Sequence, residues 1–523
     1  MRYICDQKGM QQLDQITMER IGIPSAVLME RAAYCVYEEI MRRKQCGTCL
    51  ILAGAGNNGG DGLALARMLY MAGCDVTVLL VGNHRRSEAC THQLTVLQNL
   101  LTAKGNVRQE GDVLRSRTAG SLRIVSGGTW ENIQEKVSGT WDVVVDSLFG
   151  IGLCREIVSP EREVIAAVNT LDTYRVAVDI PSGLQCDTGR ILGSVFDADL
   201  TVTFGHGKLG MYCGDGPDVT GELVIREIGF LDVVYSGMIP PAYTLERDAF
   251  RMLPGRVRTS NKGTYGRVCV IGGCDQMAGA AYFAAAAAYR SGAGLVKVYS
   301  HSANRDILLS KLPEVIFAAY DDGRDAKQIV NEASGYADVL VVGPGIGQSV
   351  FAGELVREAL TQNDVPVILD ADALNILASH MDWLEYSRTE LILTPHAKEM
   401  ERLSGVPVSE IRYRMVETAH TFANVHRLVC VLKGANTVVS DGVGPAYVNT
   451  TGNCGMSTGG TGDVLTGVIA AMIAGGLPEK DAAVLGVYMH GLAGDMAAQE
   501  KGSRAMLASD LLDGLAAAFA LAE

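Results

Sequence analysis

The sequence predicts an α/β protein of two domains, each a parallel sheet covered by helices. Three observations lead there. Short β-branched runs alternate with helical stretches along the whole chain, the pattern of strands joined by helical crossovers. The 523 residues exceed the roughly 250–300 at which one hydrophobic core stops growing. The alternation also breaks once, near Arg226–Leu245 with its Pro240-Pro241, and then resumes. Two domains therefore meet near residue 240. Their motifs follow different orders, so they are not a repeat.

In the first domain the strands fall at Cys49–Ala53, Val76–Val81, Val143–Asp146, Val176–Asp179 and Leu200–Phe204. Amphipathic stretches such as Gly62–Ala72 and Glu161–Asn169 lie between them. The second series is Arg267–Gly272, Gly294–Tyr299, Val339–Val342, Val365–Asp370, Leu391–Thr394 and Leu428–Lys433. The longest apolar run, Ala278–Tyr289, is far short of the roughly 20 residues that span a bilayer. Its alanines suit a buried helix packed closely on its neighbours.

Composition narrows the function. The chain has 45 Lys+Arg against 59 Asp+Glu, a net charge of −14, with 48% hydrophobic and 20% charged residues. That is an ordinary globular balance, and it argues against disorder. The acidic charge disfavours nucleic acid or an anionic membrane as the main partner. The N-terminus, with Arg2, Asp6 and Lys8, has no apolar signal segment. Thirteen scattered cysteines form no framework, which is the usage of a reducing cytoplasm. Cys46 and Cys49 make one C-x-x-C, but no second pair completes a zinc site.

Strand Cys49–Ala53 runs into Gly54-Ala55-Gly56-Asn57-Asn58-Gly59-Gly60-Asp61-Gly62 and then a helix. Backbone N–H groups and the helix dipole make such a turn a ready anion site. Gly54-x-Gly56-x-x-Gly59 formally fits the dinucleotide fingerprint, yet the strand to Val81 ends without the acidic residue that would hold a ribose. The two asparagines and the aspartate suit a hydroxylated ligand or a cation instead. Asp146 and Asp179 end two more strands, in VVVDSLFGIG and AVDIPSGL. Strand-end Asp and Asn often only cap helices and turns. Three glycine-flanked strand ends together instead predict that Asn58, Asp61, Asp146 and Asp179 converge on one crevice. Ser182 adds an oxygen for a soft monovalent cation.

In the second domain, Asn453–Val464 reads NCGMSTGGTGDV. Gly459-Gly460-Thr461-Gly462 offers backbone N–H groups at a helix start, and Asp463 stands in the first turn. An anion hole beside a carboxylate suits proton removal from a hydroxyl that attacks phosphorus. The bland alternative is a carboxylate that merely complements the helix dipole. No Walker loop occurs. Lys433-Gly434-Ala435-Asn436-Thr437, Asn261-Lys262-Gly263, Gly343-Pro344-Gly345-Ile346-Gly347, Asp370, Asp372, Asn375 and His396 supply further polar or glycine-rich loops.

Taken together, GAGNNGGDG, DSLFGIG and VDIPSG resemble the epimerase domain of the NAD(P)H-hydrate repair proteins. GPGIG, LDADALN, LTPHAKEM, LKGANT and STGGTGD resemble their dehydratase domain. The resemblance implies a Rossmann-like three-layer sandwich over residues 1–235 and a ribokinase-like α/β domain over 243–523. It implies interconversion of the R and S hydrates, then dehydration of the S form with ADP, giving NAD(P)H, AMP and phosphate. Asn57, Asn58, Gly59, Gly60 and Asp61, with Gly150, Ile151, Gly152, Leu153, Cys154, Arg155 and Glu156, would hold the hydrate in the first domain. Asn58, Asp146 and Ser182 would surround potassium, and Asp179 would contact the hydrated ring as the catalytic group, with Asp61 its rival. In the second domain Ala280 or Ala281, Ile346, His396 and Asp463 would line the hydrate. Lys433, Gly434, Ala435, Asn436, Thr437 and Gly462 would hold the nucleotide, Mg2+ would accompany its phosphates, and Asp463 would be the general base. A homo-oligomer is also implied.

Thr394-Pro395-His396-Ala397-Lys398-Glu399 departs from the family's usual Thr-Pro-His-Pro-Gly-Glu, a change of loop detail. Arg85-Arg86, after the second strand, marks a candidate phosphate contact. The rival reading is a ribokinase-like vitamin-precursor kinase with an accessory nucleotide-binding domain. The second domain alone would fit it, but the first domain gives it no use for GAGNNGGDG. A non-catalytic nucleotide sensor is the rival from another class; it predicts that Asp463 is dispensable.

Overall fold

The computed structural model describes residues 1–82, 84–103, 108–110, 113–115, 120–127, 129–231, 236–321 and 324–522. Residues 232–235, at the expected end of the first domain, lie outside these. The chain forms two compact units, Tyr3–Pro240 and Pro241–Glu523 with Met1–Arg2. The expected α/β class is borne out in both.

In the N-terminal unit a nine-stranded sheet runs, edge to edge, Glu222–Arg226, Leu200–Phe204, Tyr174–Val178, Val143–Ser147, Thr48–Ala53, Asp75–Val81, Ser121–Gly127, Val113–Arg115 and Arg108–Glu110. Strand Thr48–Ala53 pairs in parallel with Asp75–Val81 on one side and Val143–Ser147 on the other. The order reverses there, so a crevice opens at the carboxyl ends of these strands. At one edge Arg108–Glu110 pairs antiparallel with Val113–Arg115, which pairs antiparallel with Ser121–Gly127, a departure from the all-parallel expectation. A short pair, Ile4 with Gly207 and Cys5 with Lys208, adds a parallel ladder. Apolar layers cover both faces: Leu63, Leu65 and Val145 pack on one, Leu50, Leu52 and Val144 on the other.

Helix Asn57–Met71 begins five residues before the expected Gly62–Ala72. Asn57 to Asp61 are therefore its first turn and not a loop. The glycines permit this: a Cβ on Gly59 would lie 2.1 Å from the Gly54 carbonyl oxygen.

The C-terminal unit has the order Ala242–Thr244, Ala446–Val448, Val438–Ser440, Val429–Leu432, Leu391–Leu393, Val367–Leu369, Val339–Val342, Arg267–Ile271, Leu295–His301, Ile316–Tyr320. Its switch point is Arg267–Ile271, between Leu295–His301 and Val339–Val342. A hairpin, Val438–Ser440 against Val429–Leu432 and Ala446–Val448, is antiparallel. The alanine-rich helix Ala278–Arg290 buries Ala281 and Ala284 to Ala288. It lies against helix Thr461–Ala474 so closely that a Cβ on Gly467 would sit 2.1 Å from the Ala284 oxygen. Small side chains thus fix how near the Gly-Gly-Thr-Gly-Asp turn approaches the sheet.

Candidate functional sites

A cavity of about 750 Å3 opens at the switch point of the N-terminal unit. Asn57, Asn58 and Asp61 line it from the helix start, Gly150 to Arg155 from the loop after Val143–Ser147, and Asp179 from the next strand end. Gly59, Gly60 and Glu156 lie outside that lining; both glycines are buried, Gly59 against the Gly54 backbone and Gly60 against Met29 and Cys90. Arg85 and Arg86 also face the cavity.

Beneath its floor, Asp146 is fully buried. Its carboxylate accepts from the Ser182 N–H and hydroxyl, both at 2.7 Å, and from the Leu148 N–H at 3.1 Å. Burial nevertheless raises its pKa to about 6, the hydrogen bonds only partly offsetting the cost. The Phe149 N–H donates to the Ser182 hydroxyl at 2.9 Å, and the Asn58 amide donates to the Phe149 carbonyl at 2.9 Å. The Asn58 side-chain oxygen is buried with no hydrogen-bond partner. An orphaned acceptor beside a carboxylate, a hydroxyl and a main-chain carbonyl is an all-oxygen set suited to a hard or alkali cation.

Asp179 adopts a left-handed backbone, φ 68°. Its Oδ1 accepts from Lys208 at 2.5 Å and from the Thr203 hydroxyl at 3.2 Å. The Lys208 ammonium, 1% exposed, also donates to the Thr203 hydroxyl at 2.6 Å and the Phe204 carbonyl at 3.2 Å. Asp61 is pushed well up by burial, then by the charges of Asp179 and Asp14. Asp14, on helix Gln7–Gln15, also lines the cavity. Sequence reasoning passed over Lys208, although Gly205-His206-Gly207-Lys208 is another glycine-flanked strand end. It passed over Asp14 because nothing separates it from a solvated helix carboxylate.

In the C-terminal unit the strand ends bring a second set together. Asp370, 1% exposed, accepts from Lys433 at 2.8 Å and from the hydroxyls of Thr394 at 2.7 Å and Thr466 at 2.8 Å. Burial opposes its charge, but Lys433 and these bonds hold its pKa below the usual carboxylate range. Burial likewise opposes the Lys433 charge, yet Asp370 and Glu399 outweigh it and raise its pKa.

Helix Thr461–Ala474 starts at Gly460, φ 95°, with no side chain capping it, so its first N–H groups point out free. Asp463 stands in that turn. Burial, then the Asp370 charge, raises its pKa to about 7, with Lys433 pulling the other way. A Cβ on Gly462 would be 3.5 Å from the Lys433 ammonium, which puts lysine and helix start side by side. His490 is buried, and its Nε2 lies 2.9 Å from the Thr461 carbonyl.

His396 caps helix Ala397–Ser404 reciprocally with Glu399: its Nδ1 accepts from the Lys398 and Glu399 N–H groups, and Glu399 accepts the His396 N–H at 2.8 Å. The altered Ala397-Lys398 pair occupies the first helical positions, with Lys398 exposed. Burial and then the Lys433 charge lower the His396 pKa. The Gly343–Gly347 loop has left-handed Gly343, Gly345 and Gly347, and the Gly347 N–H donates to Asp372 at 3.0 Å. Ala281 and Ile346 are buried, whereas Ala280 is partly open. Gly434 and Ala435 are exposed, and Asn436 is half-buried. Thr437 is buried, its hydroxyl turned toward the Gly434 carbonyl at 3.3 Å.

The family model described as NAD(P)H-hydrate dehydratase matches residues 268–516, and that described as YjeF-related protein N-terminus matches residues 25–210. The bifunctional NAD(P)H-hydrate repair enzyme of Moorella thermoacetica is 37% identical over 522 residues, covering 98% of this chain and 95% of that one. The chain belongs to the bifunctional NAD(P)H-hydrate repair enzymes. It is an enzyme with an epimerase and a dehydratase part. The repair enzyme of Escherichia coli is 36% identical over 467 residues, 89% of this chain and 84% of its own. Among solved structures, the ADP/ATP-dependent NAD(P)H-hydrate dehydratase of Bacillus subtilis co-crystallised with ATP and Mg2+ is 32% identical. It matches 53% of this chain and 98% of its own, with a TM-score of 0.48. Relatedness over the full length, first unit included, weighs against a vitamin-precursor kinase.

Proposed function

We propose that residues of the N-terminal cavity interconvert the R and S hydrates of NADH and NADPH, and that the Asp463 site returns the S form to the intact dinucleotide. The supporting observation is the pairing, in one chain, of a carboxyl-lined cavity with a raised carboxyl at an uncapped helix start. The domain limits 1–235 and 243–523 follow the same division.

In the dehydratase step Asp463 takes the proton of the ring hydroxyl as its oxygen attacks the terminal phosphorus of ADP. The new O–P bond replaces the bridging one, and AMP leaves. The phosphate ester then departs as its carbon–oxygen bond breaks and a neighbouring ring proton is lost, restoring the double bond. A base with pKa near the working pH is well matched to this task. The free N–H groups at Thr461 and Gly462 and the Lys433 charge oppose the growing negative charge on phosphate. Lys433 to Thr437 and Gly462 hold the nucleotide, while Ala280 or Ala281, Ile346 and His396 bound the hydrate. Mg2+ would accompany the nucleotide phosphates and neutralise the charge that develops there; the Bacillus subtilis dehydratase was co-crystallised with ATP and Mg2+.

In the epimerase cavity, Asn57 to Asp61 and Gly150 to Glu156 hold the hydrate, and Asp179 faces its ring. Asn58, Asp146 and Ser182, joined by the Phe149 carbonyl, fit potassium; bound there, it would neutralise Asp146 and order the loop above. Arg85 and Arg86 are placed to meet phosphate at the cavity wall. The same reading favours a homo-oligomer that uses small molecules rather than nucleic acid or membrane. It also favours the cytoplasm, in keeping with thirteen free cysteines.

The test is recovery of the reduced-nicotinamide absorbance from mixed R and S NADH hydrate with protein, Mg2+, K+ and ADP. Full ADP-dependent recovery is expected. Recovery of the S form alone would remove the epimerase reading, and none with ADP or ATP would remove both.

A further inference from the structure

Asp14, Asp61, Asp179 and Lys208 share the N-terminal cavity with His84, Arg85, Arg86, Cys154 and Arg155. Lys208 spends its hydrogen bonds on Asp179, Thr203 and the Phe204 carbonyl. Its ammonium is therefore committed to Asp179 in an ion pair. Asp14 and Asp61 have no basic partner among the described residues, and both feel the Asp179 charge. Burial and then that charge raise the Asp14 pKa to about 6. The cavity thus holds two carboxyls with no ion-pair partner among the described residues, entering from different helices, beside a third that is paired with Lys208.

Two such carboxyls are what the chemistry of inversion at this carbon requires. Hydration of the nicotinamide ring places the hydroxyl on the carbon next to the ring nitrogen. Inversion there can run through a planar cation. One acid protonates the hydroxyl, the carbon–oxygen bond breaks and water leaves, while the nitrogen lone pair forms a carbon–nitrogen double bond. Water then adds to the opposite face, the new carbon–oxygen bond returns the electron pair to nitrogen, and a base takes the released proton. The sum is one proton moved from one carboxyl to another, with one water lost and one gained. A single carboxyl reaches one face only.

We propose that Asp14 is a catalytic residue of the epimerase, working with Asp61 as a two-sided acid–base pair while Asp179, held by Lys208, faces the ring cation. Asp14 comes from the N-terminal helix and Asp61 from helix Asn57–Met71, so the two approach the cavity from different elements. The assignment rests on reading this cavity as the epimerase site.

The test is the rate of R-to-S conversion by the full chain across the pH range, for wild type, Asp14→Asn and Asp14→Glu, with dehydration of the S hydrate measured alongside. The groups facing Asp14 from other elements are Asp61, Asp179 and Lys208, and all three are left intact. Asp14→Asn should lose about 100-fold or more in kcat, with KM and S-form dehydration unchanged. It should also lose the limb of the pH profile expected of wild type near pH 6. Asp14→Asn with wild-type kcat, or with a defect confined to KM, would overturn the proposal. If Asp14→Asn fails to fold, Asp14→Glu decides: a displaced pH limb supports the assignment and an unmoved one overturns it. Conversion absent from wild type itself would instead strike the reading of the site.

Discussion

Asp463 and Asp179 face opposite electrostatic problems. No cation neutralises Asp463 fully, so burial and Asp370 raise its pKa from 3.8 to about 7. The folded state then binds that proton more tightly than the unfolded chain does. The resulting stability is complete below the unfolded pKa and is lost as pH rises through about 7. Asp463→Asn should therefore lose roughly 10²–10⁴-fold in dehydration while melting higher than wild type above neutrality and no higher in acid. Melting curves on either side of neutral pH check this; a variant destabilised at both would mean the carboxylate is held by a partner. Asp179 has its cation in Lys208, which is 1% exposed. Removing the carboxylate strands a buried ammonium, a loss of roughly 3–5 kcal/mol for a broken buried pair. Asp179→Ala should unfold more easily by about that amount, and adding Lys208→Met should recover most of it. Denaturant titration of the double-mutant cycle measures the coupling.

At the scale of elements, the glycines decide where helix starts can serve a ligand. Gly460 combines φ 95° with a tight wall: a Cβ would meet the Phe283 ring at 2.9 Å and the Ala508 Cβ at 3.0 Å. Gly460→Ala should cost roughly 1–2 kcal/mol for the left-handed backbone, tilt the free N–H groups away, and raise the KM for ADP. R-to-S conversion should not change. Strands were the legible part of this fold. Leu200–Phe204 and Val339–Val342 fall where their β-branched runs place them. Ser121–Gly127 and Glu222–Arg226 escaped because arginines, serine and glutamate break their apolar run. The hairpin at Val438–Ser440 escaped because an antiparallel return carries the same residue types as a parallel strand. In the candidate sites, glycine-flanked strand ends marked Asn58 and Asp146, and a glycine-rich helix start marked Asp463. Hydroxyl partners such as Thr394 and Thr466 were invisible, because their role is set by a distant carboxylate.

On the scale of the whole molecule, the two proposed sites draw on separate residues. The lining of the N-terminal cavity lies between Met10 and Phe230, whereas the network of Asp370, Thr394, Lys433 and Thr466 belongs to the other unit. Among the described residues no side chain is common to both sets, so each activity should be removable alone. Asp179→Asn keeps a residue type that tolerates the left-handed backbone. It should abolish R-to-S conversion and leave dehydration of purified S hydrate intact. Asp463→Asn should do the reverse, accumulating the S form from R without restoring absorbance. If hydrate passes between the sites through solution, mixing the two variants should recover a mixed R and S hydrate as completely as wild type, with a lag that shortens as protein concentration rises. A mixture that stalls at the S fraction, although each variant keeps its remaining activity, would show that the hydrate must be handed on within one chain.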